Sequence, residues 1–260
     1  MSFNSGLEIY PNYEKFGFDY GPGCFGPEVE VRTLDAIRKS LKNPDCDGPE
    51  KVYAIAMDVG RNEHKEQLID QHLLYGIVTY ARGRLGEEPI RSQGHIHKLS
   101  AYANGWSTPE VYEIWQGTAI IYMQESAQDD PGRCFAVIGK PGDIIIVPPF
   151  WAHATISADP ESPLTFGAWC DRDYGFDYDG VRKHKGLAFF PLLDKNNQIT
   201  WKKNQNYHNQ QLVVKKPRVY NEFQLESNKS IYNKYAEHPE PFKFVCRPDL
   251  FAEKWVNFVP

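Results

Sequence analysis

The chain has 260 residues, long enough to bury a full hydrophobic core as one large domain or two small ones. Its 29 basic and 34 acidic residues leave a formal net charge of -5, which offers a polyanion no general attraction and argues against nucleic acid as a partner. No stretch approaches the ~20 apolar residues that span a bilayer. The opening MSFNSGLEIYPNYEKFGF lacks the basic-then-apolar pattern of a secretion signal, so a soluble, cytoplasmic protein with no membrane partner is expected. Five cysteines (Cys24, Cys46, Cys134, Cys170, Cys246) form an odd set without a CxxC spacing, as expected of reduced, mostly buried thiols rather than a disulfide framework or zinc knuckle.

Residues 1–30 mix Pro, Gly, Asn and aromatics without periodicity and read as an ordered arm. A helix is expected next, with Thr33 as N-cap, Leu34, Ile37 and Leu41 at helical spacing, and Asn43, Pro44 and Asp45 ending it. From Lys51 the pattern turns to short runs rich in Val, Ile, Tyr, Phe and Thr, separated by Gly, Pro, Asp or Ser. These are 51–59, 73–81, 90–97, 110–117, 119–126, 134–139, 143–149, 152–157 and 164–170. Many short strands without intervening helices predict an all-β jelly roll or closed barrel with room for a ligand. A hairpin-like pair, LAFFPLL and QITWKK, follows, and the rest mixes strand-like and charged segments. The expected organisation is an arm and helix (1–50), a barrel (51–203) and a C-terminal extension (204–260) packed on the barrel or at a dimer interface.

His95 and His97 stand one residue apart on a predicted strand, so alternation points both imidazoles to one face. Such a pair alone is common on exposed strands. Glu110 opens a later strand with Tyr112 next on its face, and His153 follows the tight PPFWA segment. Three imidazoles and a carboxylate suit one divalent ion per subunit (Fe2+, Mn2+, Ni2+ or Zn2+), and the lack of thiolates argues against a closed structural zinc site. His64, His72, His184, His208 and His238 lack such context and read as surface or structural residues. GHIH, Glu110 and Gly117 at E-x6-G, Gly142 and Pro148 at G-x5-P, and His153 five residues on reproduce both halves of the cupin signature in order.

On GHIH, PEVYEIWQG, KPGDIIIVPPFWAHATIS and DYGFDY, the segment from about Leu73 to Leu192 resembles the cupin-type, metal-dependent glucose-6-phosphate isomerases first associated with archaea. The resemblance implies a cupin double-stranded β-helix, a homodimer and a phosphosugar substrate. The implied activity is the aldose–ketose interconversion of D-glucose 6-phosphate and D-fructose 6-phosphate, in glycolysis and gluconeogenesis. It also implies phosphate contacts at Ser92 and Gly94 and pocket tyrosines at Tyr112 and Tyr178. The residues themselves read equally as a strand serine and a bulge glycine. Arg172 is a further phosphate candidate on charge alone, and Trp151 is expected to pack behind His153.

Moving a carbonyl between C1 and C2 places negative charge on neighbouring oxygens, which a divalent cation can hold, with Glu110 as proton carrier. A metal-bound carboxylate is a weaker base, so a hydride shift that leaves Glu110 a ligand stays open. The chain departs from the family pattern in a longer gap between His97 and Glu110, where Tyr102 and Trp106 could form a rim. Cys170 and Phe176 also stand where the archaeal enzymes have Tyr and His. Two other readings compete: another metal-dependent cupin enzyme, such as an isomerase or epimerase of a different sugar or a dioxygenase, and a sugar-binding cupin without catalysis.

Overall fold

The structure, a computed structural model, describes residues 3–225 and 229–260. Ten strands build its two main sheets: β1 (Glu30–Thr33), β2 (Lys51–Met57), β3 (Leu73–Tyr80), β4 (Glu110–Gln116), β5 (Ala119–Gln124), β6 (Arg133–Gly139), β7 (Ile144–Val147), β8 (Ala152–Ser157), β9 (Thr165–Asp171) and β10 (Gln211–Lys215). One sheet runs β7-β4-β9-β3-β2-β1 and the other β8-β5-β6-β10. All neighbours are antiparallel except β6 and β10. This is the jelly-roll barrel of the cupins, as expected from the sequence. One edge strand of each sheet comes from outside residues 51–203: β1 belongs to the arm and β10 to the extension.

Alternation along β4 shows how the layers are made. Tyr112 and Ile114 join the core between the two sheets, with Ile121, Val137, Ile145 and Phe166. Val111 and Trp115 face the other way, into a cluster with Ile9, Tyr232, Tyr235 and Phe244. The arm and the extension thus cover the outer face of the larger sheet, which is why β7 reads as an unbroken apolar run and both β7 and β9 are buried throughout. The 189–203 hairpin covers the outer face of the smaller sheet through Phe189 and Trp201.

The predicted helix at 33–45 is shorter than expected. It is one α-turn, Leu34–Ile37, continued by a 3-10 turn, Arg38–Ser40, and the Thr33 side chain makes no capping bond. The extension is also more helical than its strand-like composition suggested, with short helices at Ile231–Glu237, Lys243–Cys246 and Ala252–Trp255. Aromatic burial against the sheet holds them, since helices this short have little stability of their own.

One carboxyl group ties the extension to the sheet. Glu113, fully buried on the outer face of β4, accepts from the Ile231 backbone N–H at 2.7 Å and the Trp115 indole N–H at 3.2 Å. Burial pushes its carboxyl up to about 8 against those two bonds. An unfolded glutamate titrates near ~4.3, so Glu113 favours the folded state fully below that pH, and this contribution is lost as pH rises towards 8. In urea titrations the stability of the wild type relative to Glu113→Gln should fall by up to about 1.4 kcal/mol per pH unit across that window. A pH-independent difference between the two proteins would overturn this.

Candidate metal centre

The histidine-bearing segment, expected as a strand over 90–97, pairs only intermittently with the free edge of β8. Bridges form at Arg91 with Ile156 and at His95 with His153, where the two residues exchange backbone hydrogen bonds of 3.0 and 2.9 Å. From one bridge to the next the chain advances four residues on one side and three on the other, so one residue is extra. Gly94 lies in this bulge at φ +90°, and a Cβ there would stand 2.9 Å from Leu187 Cδ1. Ser92 fills the gap in the ladder, its Oγ accepting the Thr155 backbone N–H at 3.1 Å. After the bulge, Ile96–His97 pairs with Phe176–Asp177, so both histidines are held by backbone pairing.

His95, His97, Glu110 and His153 each bring one donor atom within 4.8 Å of the others. Glu110 Oε2 lies 3.3 Å from His97 Nε2 and 3.2 Å from His153 Nε2, and accepts the Tyr112 hydroxyl at 2.7 Å. The Nδ1 of His97 donates to the Thr108 carbonyl at 2.9 Å, and that of His153 to the Trp151 carbonyl at 3.2 Å. A carbonyl can only accept, so both rings carry a proton at Nδ1 and, when neutral, turn the Nε2 lone pair toward Glu110. Electron-rich atoms gathered this closely require positive charge among them.

The rest of the site agrees. His95 Nε2 is buried without a hydrogen-bond partner, and burial, then His153 and His97, push its pKa well below the ordinary imidazole value. Burial drives the Glu110 carboxyl upward, but wherever positive charge lets the facing Nε2 atoms of His153 and His97 donate to it, those contacts outweigh burial and hold it well below the usual range. Imidazoles with backbone-fixed tautomers, an orphaned Nε2 and an ionised carboxylate make a donor set that fits a divalent cation.

This cluster borders a cavity of about 630 Å³, open mouth included. Ser92, Tyr112 and Tyr178 line it, as do Cys170 and Phe176. The Phe176 ring packs 4.4 Å from that of His95. Gly94 is not among the lining residues, and its backbone conformation accounts for the glycine. Arg172 is committed elsewhere, binding Asp58 through both carboxylate oxygens at 2.8 and 2.9 Å and the Leu73 carbonyl at 2.8 Å. Tyr102 stacks on His72 and Trp106 lies against Phe150, so neither forms the expected rim. Trp151 stacks on Phe135 and its carbonyl orients His153.

Arg32 was not singled out from the sequence. It lies on β1, lines the cavity and pairs with Glu30. Burial raises the Tyr178 hydroxyl pKa against the opposing pull of this nearby guanidinium. No local motif marks Arg32, because its place in the site depends on the arm joining the barrel.

The fold and the donor set define the chain as a cupin with a metal-type centre of three imidazoles and one carboxylate. The family model described as glucose-6-phosphate isomerase (GPI) matches residues 33–210, more than half of the chain. The chain belongs to that family. It is 26% identical over 199 residues to the glucose-6-phosphate isomerase of Pyrococcus furiosus, covering 69% of this chain and 97% of the relative. To that of Thermococcus gammatolerans it is 30% identical over 186 residues, covering 67% and 92%. Among solved structures, an oxalate oxidase aligns with a TM-score of 0.32 at 13% identity, over 41% of this chain and 46% of the other.

Proposed function

We propose that this chain interconverts D-glucose 6-phosphate and D-fructose 6-phosphate, using one divalent ion held by His95, His97, Glu110 and His153. The observation that carries the reading is the convergence of those four donors beside a cavity in a chain of this family. When bound, the ion supplies Lewis acidity toward the sugar's carbonyl and adjacent hydroxyl oxygens. Fe2+, Mn2+, Ni2+ and Zn2+ all suit the donors.

The two oxygens of Glu110 divide the work. Oε2 is engaged by His97, His153 and Tyr112, so Oε1 is the atom that takes the proton from one sugar carbon and returns it to the other. Tyr112 fixes the carboxylate's orientation, and burial, then the charge of Glu110, keeps its own hydroxyl protonated, pushing that pKa well above its ordinary value. Cys170 stays a thiol for the same two reasons and takes no part as a nucleophile. With glucose 6-phosphate deuterated at C2, the label should wash into solvent during turnover. Full retention at C1 of the product would mean a hydride shift and remove Oε1 from the chemistry.

Phosphate selectivity rests on Arg32, with Ser92 and Tyr178 offering hydroxyls from the same cavity. In a coupled assay of Mn2+-reconstituted protein, fructose 6-phosphate is turned over in preference to unphosphorylated fructose and to mannose 6-phosphate. Arg32→Ala should raise KM for fructose 6-phosphate roughly 10- to 100-fold and leave kcat within a few-fold. Unchanged KM would move the phosphate elsewhere. The reading includes a cytoplasmic homodimer, which light scattering on the purified protein tests.

A further inference from the structure

A second cluster lies outside this cavity. His72 opens onto β3, Asp171 closes β9, and Asp173 stands in the following loop. His72 Nε2 is 3.7 Å from Asp171 Oδ1 and 3.2 Å from Asp173 Oδ1, and the three donor atoms lie within 4.8 Å of one another. Asp171 is only 1% exposed, yet neither of its oxygens has a hydrogen-bond partner, and His72 Nε2 has none either. Its neighbour Arg172 is bound to Asp58 and the Leu73 carbonyl, and among the described residues no lysine or arginine pairs with Asp171.

Buried polar atoms are nearly always paired, and a buried carboxylate without a counter-charge is costly. Seven buried side-chain atoms among the described residues lack partners. Four of them belong to His95, His72 and Asp171, at the two places where histidine and carboxylate donors converge. The same signature therefore marks both sites.

We propose that His72, Asp171 and Asp173 bind a second divalent cation. One imidazole nitrogen and two carboxylate oxygens suit Mn2+ or Zn2+, with the remaining positions open to water. The ion joins three parts of the fold. Tyr102, from the stretch between His97 and Glu110, stacks on the His72 ring at 4.1 Å, and the Asp173 loop leads directly to Tyr174 and Phe176 on the cavity wall. The site is structural: it anchors these two segments beside the pocket and touches no substrate.

The test is isothermal titration of the chelator-stripped full chain with Mn2+, with elemental analysis after dialysis. Two ions per subunit are expected for the wild type, one for Asp171→Asn and one for His153→Ala, with circular dichroism confirming the fold. If Asp171→Asn does not fold, Asp173→Asn carries the test, since that carboxylate is 47% exposed. A single ion that His153→Ala removes, or two ions retained by both aspartate variants, overturns the second site. A single ion retained in His153→Ala but lost in the aspartate variants supports this site and overturns the other, so the two readings fail separately.

Discussion

Replacing His153 with alanine should abolish turnover, by about three orders of magnitude or more, and remove one divalent ion per subunit. The side chain is 1% exposed, its Nδ1 held by the Trp151 carbonyl and its backbone paired with that of His95, so its imidazole has a single orientation and no surface role. Removal leaves His95, His97 and Glu110, and also takes from Glu110 Oε2 one of the groups that keep it ionised. Metal content and rate should therefore fall together. The fold should survive, because backbone pairing of β8 with β5 is independent of the ring. Elemental analysis and a coupled assay on the same preparation read both quantities. Full metal content in this variant would mean that the ion is held elsewhere.

Glu110→Gln separates ligation from proton transfer. The amide still offers an oxygen to the Tyr112 hydroxyl but cannot accept a proton from carbon, so kcat should drop by roughly 10²- to 10⁴-fold, the range for losing a positioned base. Sugar-phosphate affinity should change far less, because Arg32, Ser92 and Tyr178 are untouched. Metal affinity should weaken without vanishing, since the imidazoles remain. A variant as fast as the wild type would favour a hydride shift with Glu110 as a ligand. Wild-type protein that binds the sugar phosphate but never turns it over would favour a sugar-binding cupin.

Much of the site was legible in the chain because its geometry is local. The spacing of His95 and His97 places both rings on one side of an extended backbone, and Glu110 and Tyr112 repeat that logic on β4. Short strands between turn residues marked an all-β barrel for the same reason. Spacing did not reveal the bulge at Gly94, which depends on how segment 90–97 meets β8. Nor did it mark the helices of the extension, which form because their aromatics dock on the outer face of the larger sheet.

By itself the sequence determined the barrel class and the four converging donors, since strand alternation and motif spacing act over a few residues. Only the tertiary structure decided which charges reach the cavity. Arg32 lines it because the arm adds a strand to the sheet, while Arg172, a candidate on charge alone, is held by Asp58. His72 meets Asp171 across about a hundred residues of chain because β3 and β9 lie side by side with Leu73 opposite Asp171. Strand pairing brings distant residues together through backbone hydrogen bonds that are largely indifferent to side-chain identity, so no local pattern records the meeting.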